Sequence, residues 1–463
     1  MVIVPSQARG RTLNPPMDHV WSTHVGDEEH ARASGARADA ARRGGQAAVV
    51  SATMYAAVDW ADRWLDCAVI ARDGTRLGFR RITYKSTPDP VAELQDLLRS
   101  CNRTRWRTIP IGTEDPDGLV FQAMEDAGLT VVGIEPMLAA RTRKATTMGL
   151  TKSDRADAYL LANMLRTGGD RFRPVPRSSP EARAVRVLAR AQTAAVKRRS
   201  RALHQLRAVL VTYYPAAVTA WPRFTLRHAQ ARAVLAAAPT PATAAALSRT
   251  ELAGILRGAG RWRTVDDEAE RLSLHFRRPA LRTQPMVEAA RGVEMRAVLD
   301  TLNLACDAAG QLSEQVAEAF GAHADALVLQ SFPGIGPLLG ARILGEIGDA
   351  PGRFATARNL CAYAGVVPVV WASGLAQRTS HRRFANETLR DAIWQAAFCS
   401  LTKSPGAAAF YRRRREGGES HNGALRNLAA RLLRALHHCL ATHRPYDESL
   451  AFRDIHPAES RAG

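Results

Sequence analysis

Tyr55-Ala56-Ala57-Val58-Asp59 is an apolar run that closes on an acid, and the residues after it decide what the run is. Trp64-Leu65-Asp66-Cys67-Ala68-Val69-Ile70-Ala71 reads as a second strand, Arg72-Asp73-Gly74-Thr75 carries the Asp-Gly signal of a tight turn, and Leu77 to Thr83 reads as a third strand. Asp59 therefore stands at the end of the first strand of a meander. The same logic recurs downstream. Thr108-Ile109-Pro110-Ile111-Gly112-Thr113 is a short β-like run closed by Glu114, a helical stretch runs from about Pro116 to Ala127, and Leu129-Thr130-Val131-Val132-Gly133-Ile134 reads as another buried strand. Strands alternating with helices predict a mixed α/β sheet with helices packed on it.

Two further acids follow in Thr151-Lys152-Ser153-Asp154-Arg155-Ala156-Asp157-Ala158, which runs on through Tyr159 to Leu165 in helix-forming residues. A spacing of three puts Asp154 and Asp157 on one helical face. Taken singly, each of these acids reads as a cap, turn or solvated-face residue. As an ordered set of strand end, strand end and helix face, Asp59, Glu114, Asp154 and Asp157 form a candidate metal site. Oxygen-only ligands select hard cations, and Mg²⁺ accepts a few carboxylates while leaving positions for water and phosphate oxygens. Two such ions about 4 Å apart activate a nucleophile and steady the leaving oxygen of a phosphodiester.

These residues carry a resemblance. Val58-Asp59, Gly112-Thr113-Glu114 and Lys152-Ser153-Asp154-Arg155-Ala156-Asp157-Ala158 before Leu161-Ala162 resemble the DEDD catalytic set of the insertion sequence 110 family of bacterial transposases. The likeness covers most of the chain beyond residue 54. It extends to Phe332-Pro333-Gly334-Ile335-Gly336-Pro337, to Leu360-Cys361-Ala362-Tyr363-Ala364-Gly365-Val366-Val367-Pro368, and to Ala372-Ser373-Gly374, which are similar to the family's second conserved domain. The resemblance implies a RuvC-like (ribonuclease H fold) N-terminal domain and Ser373 as a nucleophile that becomes linked to DNA. It also implies donor and target DNA as partners, together with a guide RNA encoded by the element. A Ser-Gly pair alone reads as a loop turn, and a serine hydroxyl needs a base or metal to attack.

Read physically, the Pro-Gly-x-Gly turn between two helical stretches is a helix-hairpin-helix element whose backbone N–H groups can contact phosphate, or equally a plain structural turn. Ala385, in Arg383-Phe384-Ala385-Asn386, replaces a glycine usual in the family and puts the local loop geometry in question. Tyr411, beside Arg412 to Arg415, lacks the Arg and His constellation of a tyrosine recombinase and is read as packing or stacking.

Composition agrees with a polyanionic partner. Against 44 Asp+Glu the 463 residues carry 64 Lys+Arg, a formal net charge of +20, with a pI near 10.6. Such a charge binds phosphate backbones by counterion release, largely without regard to sequence. A membrane is the other common partner of basic proteins, but no apolar run approaches the roughly 18 residues of a spanning helix and no signal peptide is visible. Six scattered cysteines (67, 101, 306, 361, 399 and 439) without Cys-x-x-Cys predict reduced thiols and no zinc site in a cytoplasmic protein, and the resemblance implies a bacterial, nucleoid-associated one.

The expected domain order is a disordered tail over 1–53, a RuvC-like catalytic domain over 54–175, a helical coiled-coil arm with an insert over 176–325, a C-terminal transposase domain with the serine over 326–445, and a tail over 446–463. In the arm, Pro180 to Val211 reads as one long helix ended by Pro215, and Met286 to Phe320 as a second that returns against it. Arg183, Arg186, Arg190, Lys197, Arg198, Arg199, Arg201 and Arg207 surround the first, at a density that suggests nucleic acid or a subunit contact in a homo-oligomer, dimer or tetramer. Ala-rich Leu235 to Thr264 reads as an insert at the arm's tip. Two other function classes use parts of the same sequence. A Holliday-junction-type nuclease would need the four acids but not Ser373, and a non-catalytic nucleic-acid-binding protein would need the charge but no convergence of acids.

Overall fold

A computed structural model describes residues 49, 51–83, 87–114, 118–146, 153–172, 174, 176–221, 225–367, 369–373, 376–380 and 385–453, with backbone alone for 369–373 and 376–380. Of the two expected tails, 1–48 and 454–463 lie outside the described residues. The chain forms two compact units, one within residues 1–177 together with Ala350–Arg353, the other within Ser178–Asp349 and Phe354–Gly463.

The first unit is built on a five-stranded sheet. Strands β1 (Met54–Trp60), β2 (Trp64–Ala71) and β3 (Arg76–Thr83) form the antiparallel meander, with Gly74 at φ +95° in the Asp-Gly turn. Helix α1 (Pro90–Cys101) leads to β4 (Ile111–Thr113), α2 (Leu119–Asp126), β5 (Val131–Gly133), α3 (Pro136–Thr146) and α4 (Asp154–Gly168). Both β4 and β5 run parallel to β1, in the order β3-β2-β1-β4-β5. The short run before Glu114 is thus a strand only from Ile111, because Trp106–Thr108 is a 3-10 turn. Likewise, the helix expected from Pro116 spans Leu119 to Asp126.

Alternation along β1 and β2 divides the core between the two sheet faces. Ala56, Val58, Leu65, Cys67 and Val69 pack with α1 and α2. Tyr55, Ala57, Ala68 and Ile70 face α4 and bury Ala158, Leu161, Ala162 and Leu165 of that helix. Val49, in the stretch expected to be a tail, is buried on this second face.

The second unit is helical. Helices α5 (Pro180–Tyr213) and α6 (Pro215–Ala220) are followed by α7 (Ala229–Ala237), α8 (Pro241–Ala246), α9 (Arg249–Gly258) and α10 (Val265–Phe276). The 37-residue α11 (Pro285–Gly321) then runs antiparallel to α5. Val185 and Ala189 of α5 share one core with Val316 and Phe320 of α11, whereas Leu203, Leu206 and Leu210 share another with Met295, Leu299 and Leu302. The expected insert is a builder of the second core. Leu235, Ala244, Leu252, Ala253 and Leu256 are all buried there, small alanines letting short helices pack closely.

The first core continues through α12 (Ala326–Gln330), α13 (Pro337–Ile347) and α14 (Ala357–Tyr363), after which β6 (Val369–Ser373) and β7 (Ala376–Ser380) form a two-stranded hairpin. Helices α15 (Glu387–Ser400), α16 (Pro405–Glu416), α17 (His421–Thr442) and α18 (Glu448–Ala451) complete it. Gly334 lies in the Pro-Gly-x-Gly turn at φ +88°, and a Cβ there would meet Cys399 Cβ at 2.7 Å. Its glycine is therefore required by the turn's close packing on α15. None of the six cysteines forms a disulfide. Among the described residues, no helix is long and apolar enough to cross a membrane.

Several arginines of α5 are used internally. Arg190 holds the nearly buried Glu346 of α13 through Nε to Oε1 at 2.8 Å and Nη2 to Oε2 at 2.9 Å, and Arg186 Nε donates to the Gly345 carbonyl at 2.5 Å. Asn386 Nδ2 also donates to Glu346 Oε2 at 2.7 Å and to Tyr363 Oη at 2.8 Å, while Asn386 Oδ1 caps α15 by accepting from Leu389 N. That subtracts two of the eight basic residues expected to face nucleic acid; of the six left, Arg183 and Arg199 are half-buried, and Lys197, Arg198, Arg201 and Arg207 are exposed. If this exposed stripe meets phosphate, reversing all four to Glu will flatten the salt dependence of DNA binding by about one slope unit for each phosphate no longer neutralised. Fluorescence anisotropy across a salt series measures the slope; an unchanged slope with a smaller oligomer would identify a subunit contact instead.

Candidate metal centre and catalytic site

Three acids reach the site through strand register. In β1, Asp59 pairs directly across the antiparallel ladder with Asp66 of β2, so both side chains leave the same face, the one covered by α4. On the other side, Val58 of β1 pairs with Thr113 of β4 in parallel, and the next residue of each strand is an acid, Asp59 and Glu114. Two neighbouring parallel strands thus deliver carboxylates at their C-terminal ends, the edge where open α/β sheets bind ligands. Gly112 in β4 permits this close packing, because a Cβ there would lie 2.7 Å from Ile134 Cδ1.

Helix α4 supplies the other two. Ser153 caps it, its Oγ accepting from Ala156 N at 3.1 Å, and Asp154 and Asp157 lie in its first turn, where the helix dipole favours negative charge. Tyr159 Oη donates to the Gly78 carbonyl at 3.1 Å, and Leu161 and Leu165 anchor the helix on the sheet. Asp157 is nearly buried, Glu114 and Asp154 partly open.

The other three predicted acids act on Asp59. Burial, and then the charges of Asp157, Glu114, Asp154 and Asp66, push Asp59 up to about 6 from the ordinary carboxylate value of 3.8. Two arginines offset the remaining charge. Arg143 of α3 donates from Nε to Asp157 Oδ1 at 2.7 Å and from Nη2 to Glu114 Oε1 at 3.4 Å. Arg81 of β3 grips the fully buried Asp66 through Nε to Oδ1 at 2.7 Å and Nη2 to Oδ2 at 2.6 Å, and extends Nη2 to Asp154 Oδ2 at 3.3 Å.

With these guanidinium groups in place, no three His, Cys, Asp or Glu side chains among the described residues stand tightly enough round one point to cage a metal ion. The donor set nevertheless suits one. All the candidate ligands are carboxylate oxygens, and their mutual repulsion is the condition that a hard divalent cation relieves. Asp66, Arg81 and Arg143 were not singled out by the sequence reading. The only signal for Asp66 was an acid inside an otherwise apolar strand.

Ser373 is the last residue of β6 and pairs with Ala376 of β7 across the hairpin end. Gly374 of the Ser-Gly pair lies outside the described residues, as do Lys152 and Thr151 ahead of the acidic helix. Tyr411 packs edge-on against His421 and shares a 2.7 Å hydrogen bond with its Nδ1, in keeping with a packing role.

Known proteins share much of this sequence. A transposase model of the DEDD IS110 type matches residues 56–215, and a model described as Transposase IS116/IS110/IS902 family matches residues 326–412. A mini-circle protein of Streptomyces coelicolor described as a transposase for IS117 is 43% identical over 410 residues, covering 88% of this chain and 98% of that protein. The 43.6 kDa protein of insertion element IS110, also from Streptomyces coelicolor, is 26% identical over 77% of this chain and 87% of its own length. The 44.8 kDa protein of insertion element IS116 from Streptomyces clavuligerus is 28% identical over 74% of this chain and 83% of its own.

The raised Asp59 carboxyl has a signed consequence for stability. A folded pKa above the unfolded one means that the fold prefers protonated Asp59. Its contribution is fully present below about pH 4 and is lost as pH rises through about 6. Metal-free Asp59→Asn is therefore expected to be more stable than the parent near pH 7.5, by about 1 kcal/mol once solvent screening is allowed for, and equal to it near pH 4. Thermal unfolding of chelator-treated protein across pH reads this; a loss of stability at pH 7.5 would contradict it.

Proposed function

This chain belongs to the IS116/IS110/IS902 family of transposases, and from that premise we propose that Asp59, Glu114, Asp154 and Asp157 are the carboxylates of a RuvC-like catalytic domain that holds Mg²⁺. The observation that carries the reading is the placement of Asp59 and Glu114 at the ends of neighbouring parallel strands, with α4 packed on that sheet and Arg143 bridging Glu114 to Asp157. The strand order β3-β2-β1-β4-β5, with an antiparallel meander followed by parallel strands, supports the ribonuclease H type of fold. The protein is a transposase and acts on DNA; the family further suggests dependence on a divalent metal.

In this reading a tail over 1–53, of which Val49 packs on the sheet, precedes the catalytic domain over 54–175, the arm over 176–325, the serine domain over 326–445 and a second tail over 446–463, of which Phe452 is buried. Asp157 and Glu114, on α4 and after β4, would hold the cation from two elements, with Asp59 and Asp154 completing the set. When bound, the cation supplies the positive charge that steadies oxygen anions of a phosphodiester. Ser373 supplies the attacking oxygen. Its Oγ forms the bond to phosphorus as the bond to the departing deoxyribose oxygen breaks, the hydroxyl proton passing to a base and the departing oxygen gaining one. Attack by a deoxyribose hydroxyl of the other strand reverses the step, so that the phosphodiester energy is conserved through exchange. The basic surface binds donor and target DNA, an element-encoded RNA guides their pairing, and the protein works as a homo-oligomer, dimer or tetramer, at the bacterial nucleoid.

Asp154→Asn or Glu114→Gln is expected to abolish strand exchange while leaving DNA affinity within about twofold, because the basic surface is untouched. Ser373→Ala is expected to remove both cleavage and the DNA-protein adduct, which mass spectrometry of the parent will place on the peptide containing Ser373. Cleavage by Ser373→Ala that leaves a free 5′ phosphate would assign the acids to direct water attack and favour the junction-nuclease reading.

A further inference from the structure

The acid cluster already contains a cation, and the chain itself provides it. Arg143 stands in the last turn of α3, and its single guanidinium pins two other elements, reaching Asp157 at the start of α4 and Glu114 just beyond β4. The surroundings distinguish this contact from an ordinary surface pair. The Asp157 side chain is 6% exposed and that of Arg143 26%, so water screens the interaction poorly. A divalent cation held by these acids would compete for the same two carboxylates. Arg143 Nε already takes up one acceptor site of Asp157 Oδ1, and two positive groups a few ångströms apart repel.

We propose that Arg143 is the resident counter-cation of the catalytic carboxylates: it holds Glu114 and Asp157 in the metal-free protein and is displaced from them when a divalent cation binds. This rests on the reading of the four acids as a metal site. Arg143 is thus a positioning residue. It keeps mutually repelling acids folded in place before the metal arrives, at the cost of weakening the metal's hold. Arg81 does not share the role, because its two-pronged grip is on Asp66, with only an outer 3.3 Å contact to Asp154.

The test uses the full-length protein, stripped of metal by chelation, with Mn²⁺ alone as the probe, titrated by calorimetry or by electron paramagnetic resonance. Arg143→Gln is expected to bind Mn²⁺ about tenfold more tightly than the parent at low ionic strength, with Arg143→Lys between the two because an ammonium satisfies one carboxylate at a time. The thermal midpoint of Arg143→Gln is expected to fall below the parent's without metal and to approach it under saturating Mn²⁺. Equal or weaker Mn²⁺ binding by natively folded Arg143→Gln would overturn the proposal and leave Arg143 as a plain structural ion pair. Should that variant fail to fold, Arg143→Lys decides alone, tighter Mn²⁺ binding supporting the proposal and unchanged binding overturning it. An Asp154→Asn, Asp157→Asn double variant separates the premise, since Mn²⁺ binding that survives it would refute the metal site itself whatever Arg143 does.

Discussion

Repulsion between carboxylates brought together in a half-buried place is the interaction on which the first unit turns. Burial alone raises Asp59, and each neighbouring acid adds to the rise. A fold that gathers like charges must hold them from outside, and the holding here is distributed. The apolar face of α4 fixes Asp154 and Asp157, paired strands fix Asp59 and Glu114, and arginines from β3 and α3 lend positive charge. A site of this kind sits above its lowest energy, and in the proposed reading a divalent cation would relieve that excess.

How much of this was legible follows from what each signal depends on. An apolar run, an Asp-Gly turn and a second apolar run are local patterns, so Asp59 at a strand end could be read without any knowledge of partners. Asp154 and Asp157 on one helical turn are equally local. Cross-strand register is different in kind. Nothing in the run Trp64 to Ala71 says that Asp66 stands opposite Asp59, or that Arg81 will neutralise it, because those facts belong to the pairing of strands. Arg143 was hidden for the same reason, since its partners are 14 and 29 residues away on separate elements. The Ala-rich stretch near Leu252 gave little periodicity, yet its small side chains are what a tightly packed helical core needs.

In the second unit the arginines of α5 illustrate a limit on reading charge from composition. A basic helix suggests phosphate, but Arg186 and Arg190 spend their donors on α13, where Glu346 also accepts from Asn386. Asn386 in turn caps α15 soon after the hairpin that carries Ser373. One buried carboxylate thus ties three helices. Losing either partner would strand its charge, which is more damaging than the pair is stabilising.

The same helix α5 has a mechanical property. At 34 residues it is about 50 Å long, and it is embedded in one core near Val185 and in a different core near Leu210. Close packing at both ends, with α11 alongside as a brace, suppresses bending along its length. It therefore behaves as a lever. A tilt of about 5° at one end carries the far end roughly 4 Å, comparable to the step between neighbouring residues of a chain. Any load taken up at the distal core is felt at Glu346 as torque, with little lost to flexure on the way.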